Sequence, residues 1–314
     1  MGKHFLSPTP PLPLTLPLLF PPSIRSSPSL SLSPCREVPY HNFWHAFCVC
    51  RECAFIIKAT GIDRIDPLCE DVKRGFTRKE LFTVMLSALV HDVDHPGTNN
   101  DFEVKTSSRL ALLYNDNSCL ENHHLALTFN ILHMPQYNVF ELWWDEEKKD
   151  ARRIMTHAVL NTDMAQHSSL QLDLQARSIA SRAYDLTRFD ERMELVKIIL
   201  HAADIFNVAR APQVSFQISL QVAEEFRQQT LKESSLGLPP TPWMVLPSPY
   251  DIYKGELHFC KNVARPYFAA LRTCFPGNPD LNFLPRIDSN VQNWSAEVRR
   301  LEKQELKKHE DKVY

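Results

Sequence analysis

The chain has 314 residues, enough for one large domain with a tail, and its 44% hydrophobic and 23% charged content supplies a sizeable core and excludes wholesale disorder. Lys+Arg 35 against Asp+Glu 37 leaves a net charge of −2, which offers no basic field to hold a nucleic-acid backbone. Only 7 glycines are present, and no glycine-rich phosphate cradle occurs among them. The 8 cysteines are thinly spread with no secretory signal, so free thiols in a reducing compartment, the cytoplasm, are expected.

Ten of the 23 prolines fall in residues 1–39, mixed with Ser and Leu, and that spacing forbids a helix. This segment is expected to be disordered, and its apolar run Leu12 to Phe20 is too short and proline-broken to span a bilayer. From Tyr40 the texture changes. Cys48, Cys50 and Cys53 resemble part of a zinc knuckle, but no partner pair follows, and Phe47, Val49, Phe55 and Ile56 around them read as a buried helix. Apolar residues at helical spacing predict core helices over 78–90 and 191–205, with further helices near 103–116, 122–133, 151–170, 216–232 and 256–275. From Asn290 a stripe of Val291, Trp294, Val298 and Leu301 leads into a Lys/Glu-rich solvated helix. No period-two strand is evident, so residues 40–314 are expected to form one all-α domain.

The polar residues that interrupt this apolar background carry the chemistry. His41 and His45, four apart, are expected to project from one face of a helix. His91-Asp92-Val93-Asp94-His95-Pro96-Gly97 follows the apolar run ending at Val90, which stands imidazoles and carboxylates at the exposed end of a rigid element. Asp204 interrupts a largely apolar helix, where a lone carboxylate requires a cation. Arginine or lysine is the bland partner, but two His with two Asp suit a first-row divalent ion, and spare carboxylate oxygens suit a neighbouring Mg²⁺ or Mn²⁺. On these residues the chain reads as a two-metal hydrolase.

Five motifs in order, Tyr40-His41-Asn42-x-x-His45, His91-Asp92-x-Asp94-His95-Pro96-Gly97-x-x-Asn100, Leu120-Glu121-Asn122-His123-His124, Thr162-Asp163-Met164 and Ala203-Asp204-Ile205-x-Asn207, resemble the signature of class I 3′,5′-cyclic nucleotide phosphodiesterases over roughly residues 40–305. The resemblance implies an all-helical catalytic domain with Zn²⁺ held by His45, His91, Asp92 and Asp204, and with Asp92 shared by a Mg²⁺ or Mn²⁺ ion. It implies that His95, Glu121 and Thr162 orient the surrounding waters, that metal-activated water attacks phosphorus in line, and that His41 protonates the departing O3′. Tyr40, Asn207, Glu256 and Phe259 then match positions that line the nucleotide pocket. His157, His167 and His201 keep the reading of ordinary core or surface histidines.

Several residues depart from that pattern. The family reads the purine with a glutamine followed three residues later by a phenylalanine; anchored on Phe259 and Pro266, the glutamine position is Glu256, or Gly255 if a loop differs by one residue. An ionised glutamate only accepts hydrogen bonds, which favours guanine, with its adjacent N1–H and N2–H donors, and hence cGMP over cAMP. Phe206, Ile218 and Gln229-Thr230-Leu231 are also unusual and are expected to alter pocket shape. A segment near 61–74 reads as a surface-loop insertion, and the Pro/Ser/Leu tract stands where the resemblance implies further helices. A catalytically impaired nucleotide-binding relative is therefore the alternative to an active hydrolase, with an HD-type hydrolase of another phosphate ester behind both.

Overall fold

The computed structural model describes residues 38–62, 75–275 and 283–313, and among them it contains helices and no strand. The proline-rich tract up to Glu37, most of the 61–74 segment and Tyr314 lie outside the described residues. Among the described residues twelve α-helices follow one another: α1 Phe43–Thr60, α2 Arg78–Val90, α3 Asn100–Lys105, α4 Arg109–Tyr114, α5 Cys119–His133, α6 Asp145–Leu160, α7 His167–Ile179, α8 Phe189–Asp204, α9 Pro212–Ser235, α10 Pro249–His258, α11 Arg265–Thr273 and α12 Leu284–Val313. A π-helical turn, Phe259–Ala264, joins α10 to α11.

Local chemistry sets many of the boundaries. Asn42 caps α1 by accepting from the Trp44 amide, and Gly61, at φ 70°, closes it. Thr77 and Glu80 cap α2 reciprocally. The expected 103–116 helix is divided because Thr106 ends α3 and Ser108 caps α4. The expected 151–170 helix breaks at Asn161 to Asp163, where the Asn161 side chain turns back onto the His157 carbonyl.

α8 is the centre of the body. It packs on α1, α2 and α6, and Leu195, Val196, Ile198, Ile199 and Leu200 are at most 1% exposed. Burying side chains of this size stabilises the fold by about 1.5–3 kcal/mol each. α2 also packs on α1 and α6, while α10 lies along α12. α1 is only half buried: Val49 and Ile56 face the core, whereas Phe47 and Phe55 lie on the outer face at 47% and 43% exposure. The expectation of a fully buried helix is thus corrected, because an amphipathic helix with one packed side cannot cover both of its aromatic flanks.

Candidate metal centre

Three element ends meet at one point: the start of α1, the turn after α2 and the last residue of α8. His45 Nε2 lies 3.2 Å from His91 Nε2, 3.2 Å from Asp92 Oδ2 and 3.0 Å from Asp204 Oδ1. His91 Nε2 lies 3.0 Å from Asp92 Oδ2 and 3.3 Å from Asp204 Oδ1. A tetrahedral zinc with N and O ligands at about 2.0–2.2 Å separates its ligand atoms by roughly 3.3 Å, so these side chains fit the ion. His91 is fully buried, and its Nδ1 donates to the Ala88 carbonyl at 2.8 Å, which leaves Nε2 as the lone pair facing inward. Burial opposes ionisation of Asp92 and Asp204, yet His91 and His45 beside them hold both carboxyls below the usual range. The turn after α2 stands at a helix end as expected, but it is enclosed: His91 is inaccessible and Asp94 takes φ 61° to reverse the chain.

His41 is not on the same helix as His45. Asn42 takes the cap, α1 begins at Phe43, and His41 sits in the approach to it, its ring 5.5 Å from that of His45 and stacked on His95 at 4.0 Å. What holds it is Glu225 on α9. One Glu225 oxygen is hydrogen-bonded to His41 Nδ1, and the other accepts from the Tyr40 and His41 amides at 3.0 and 3.1 Å. Burial works against a charge on His41, but the Glu225 hydrogen bond and the nearby carboxylates outweigh it and raise the imidazole above its ordinary value. Gly97 permits this approach: it has φ 71°, and a Cβ there would lie 3.0 Å from Val38 Cγ1 and 3.6 Å from Glu225 Cγ.

Around this centre, His95 Nδ1 accepts from the Gly97 amide, and burial followed by the His41 charge holds His95 well below its usual value. Glu121 on α5 accepts from Asn100 Nδ2 at 3.0 Å; burial and then Asp163 push its carboxyl up to about 7. Thr162 is buried and donates its hydroxyl to the Val159 carbonyl at 2.8 Å. Tyr40, Asn207 and Ile218 line a cleft with His45, Asp204 and Arg210. Glu256 and Phe259 lie on the α10 side, with Glu256 in contact with Ser219 of α9 and Phe259 packed against the core. Gly255 is exposed and Glu256 is half-buried, and neither Glu256 nor Phe259 is among the residues that line that cleft.

Glu225 is not singled out by the sequence, and His124 appears there only within the Leu120-Glu121-Asn122-His123-His124 motif. Glu225 belongs to a ladder Glu225, Gln229, Glu233 at four-residue spacing that looks like a solvated stripe, but all three are buried. Gln229 accepts from the Asn99 amide at 2.9 Å and donates to Glu233, while Glu233 accepts from Thr241. His124, 1% exposed, donates to the Val93 carbonyl from Nδ1 and stands 3.8 Å from Asp92. Phe206 packs in the core against Phe268 and Phe283 and meets the edge of the half-exposed Phe55, and Leu231 is exposed, so only Ile218 of the unusual positions touches the cleft. The three histidines read as ordinary are accounted for: His167 and His201 form a buried pair and His157 stands beside Glu194.

The helical body and its cluster of two histidines and two aspartates define a metal-dependent hydrolase type of site. Residues 40–284 match the family described as 3′5′-cyclic nucleotide phosphodiesterase, and the chain belongs to that family. It is 32% identical over 235 residues to "3′,5′-cyclic-AMP phosphodiesterase 4C" of Rattus norvegicus, covering 73% of this chain and 42% of that one. It is 32% identical over 252 residues to "High affinity cGMP-specific 3′,5′-cyclic phosphodiesterase 9A" of Drosophila melanogaster, covering 79% and 15%. The crystal structure of the phosphodiesterase domain of the RhoPDE fusion protein from Salpingoeca rosetta superposes with TM-score 0.79 at 30% identity, covering 85% of this chain and 80% of that one. The chain spans less than half the length of these two curated relatives.

Proposed function

We propose that residues 40–314 form a catalytic domain that hydrolyses 3′,5′-cyclic nucleotides to nucleoside 5′-monophosphates, with cGMP preferred over cAMP. The observation that carries the reading is the mutual spacing of His45, His91, Asp92 and Asp204, whose ligand atoms all lie within 4.8 Å of one another. These residues would hold Zn²⁺, and Asp92 would share a Mg²⁺ or Mn²⁺ ion. When bound, the two ions supply Lewis acidity toward the phosphoryl oxygens and lower the pKa of water.

The chain's own groups do the rest. His41, kept oriented and proton-rich by Glu225, would give a proton to the departing O3′. His95, Glu121 and Thr162 would orient water around the ions, and His124 would brace Asp92. Tyr40 and Asn207 would hold the nucleotide in the cleft, with Glu256 and Phe259 addressing its base. The intact ligand set and the His41–Glu225 pair favour an active hydrolase over an impaired relative. No helix among the described residues is long and apolar enough to cross a membrane, and the described cysteines are all free; a cytoplasmic enzyme accords with both.

The test is release of 5′-monophosphate from cAMP and cGMP with Zn²⁺ plus Mg²⁺ or Mn²⁺. Asp204→Ala is expected to lower kcat/KM by about a thousandfold or more, as removal of a metal ligand disables the site. Undiminished turnover by that variant, or no turnover by the intact chain, would reject the reading.

A further inference from the structure

Glu256 lies on the inward side of α10, and its Oε2 is buried with no hydrogen-bond partner among the described residues. The groups that face it are known on each neighbouring element. From α9 comes Ser219, whose hydroxyl donates to the Ser215 carbonyl at 2.9 Å and whose oxygen lies beside the Glu256 carboxyl. From the π-helical turn comes Cys260, whose thiol is pushed up to about 12, chiefly by burial and then by the Glu256 charge. Ahead of α1 stands Tyr40, held protonated by burial and then by Asp204, Asp92, Glu225 and Glu256. α12 brings Trp294 to Cys260, while its Glu297 and Arg300 act on Tyr253, one turn earlier on α10. No cation bears on the Glu256 carboxyl among the described residues, and both titratable neighbours stay neutral through the physiological range.

Such a carboxyl resists ionisation, since a buried carboxylate without a cation loses its hydration and gains nothing in return. Burial pushes Glu256 up to about 7, with Ser219 opposing the rise. The premise that this residue is simply an ionised acceptor therefore needs refinement. A neutral carboxyl carries one O–H donor and one carbonyl acceptor, the same complement that a glutamine amide offers to a base edge. Adenine presents an N6–H donor beside the N1 acceptor and pairs with the neutral form. Guanine presents N1–H and N2–H donors beside O6; it pairs with either form, because the ionised carboxylate accepts both donors. Against adenine the ionised form sets an oxygen lone pair toward the N1 lone pair, a mismatch that a buried site discriminates against strongly.

Resting on the hydrolase reading above, we infer that Glu256 reads the purine in two protonation states, neutral for either base and ionised for guanine alone, so that pH sets the substrate preference. The sign is fixed by the charge states: cAMP is accepted below the Glu256 titration and excluded above it, while cGMP is accepted on both sides. His41 and the metal ligands act on both substrates alike and cancel in the ratio of their kcat/KM values.

The experiment is that ratio, measured with the full chain between about pH 6 and about pH 8. The cGMP/cAMP ratio is expected to rise by about tenfold per pH unit above the midpoint, the slope of a single ionisation, and Glu256→Gln is expected to flatten it. A ratio independent of pH in the unaltered chain, or equally steep in Glu256→Gln, overturns the inference while leaving cyclic nucleotide hydrolysis standing. If neither nucleotide is turned over, the hydrolase reading fails separately, and calorimetric binding of cAMP and cGMP across the same pH range decides. A cGMP/cAMP affinity ratio that rises with pH supports the two-state reader; a flat one, or no binding of either nucleotide, overturns it.

Discussion

The two ends of α8 handle buried charge in opposite ways. Near its start, Glu191 is flanked by Arg177 at 2.8 Å and Arg182 at 2.6 Å, and Arg192 donates to Glu80 at 2.8 Å and to the Leu186 carbonyl. Each charge there has an opposite charge supplied by the chain. At its end, Asp204 and Asp92 face His45 and His91, which match them only when the imidazoles are protonated. One end is complete as folded; the other is left short of positive charge, as a site for a divalent cation must be.

The largest effect is expected from opening the completed end of α8. Arg192→Ala leaves Glu80 buried without its cation and is expected to destabilise the fold by about 3–5 kcal/mol, read as a lower urea midpoint at unchanged slope, with turnover per folded molecule preserved. Next comes filling the unfinished end. After chelation, Zn²⁺ or Mn²⁺ at a hundredfold excess over its Kd is expected to stabilise the protein by about 2.7 kcal/mol, a rise of several degrees in Tm, by mass action. Asp204→Ala should lose that increment; an equal rise in the variant would move the ion elsewhere. The smallest effect sharpens the role of α9: Glu225→Gln keeps the amide contacts but loses the charge beside His41, and a fall in kcat of about tenfold to hundredfold at nearly constant KM is expected. Loss confined to KM would make Glu225 a part of the substrate pocket instead.

The sequence made the metal centre readable and left much of its support unseen, for a physical reason. Histidines and aspartates stand out when they interrupt apolar helices, as Asp204 does after Leu200, Ala202 and Ala203. Glu225, Gln229 and Glu233 carry no such contrast, because their spacing on α9 is also that of a solvent-facing stripe; only the packing of the 95–99 turn and Thr241 against them shows that they are buried. His41 is expected on one helix with His45 but lies ahead of it, since a two-residue capping step at Asn42 is below the resolution of periodicity. Long elements with one apolar face, α2, α8 and α12, were legible; breaks inside 103–116 and 151–170 were not, because Thr106, Ser108 and Asn161 act through side-chain hydrogen bonds that leave the apolar pattern intact.

The π-helical turn between α10 and α11 has a further consequence. It accommodates one residue more than an α-helical path would, so the rod from Pro249 to Thr273 runs in two rotational phases. In the first phase Glu256 meets Ser219; in the second the Tyr267 hydroxyl reaches the Ile198 carbonyl at 3.1 Å, deep against α8. Removing a single residue from the turn, such as the exposed Lys261, would restore one phase and rotate one half against the other by about 100°. Because Tyr267 is fully buried and Glu256 is not, the half that yields is the one that carries Glu256. A change of one residue in length can thus re-aim the Glu256 face of α10 while α8 and the cluster of His45, His91, Asp92 and Asp204 stay where they are.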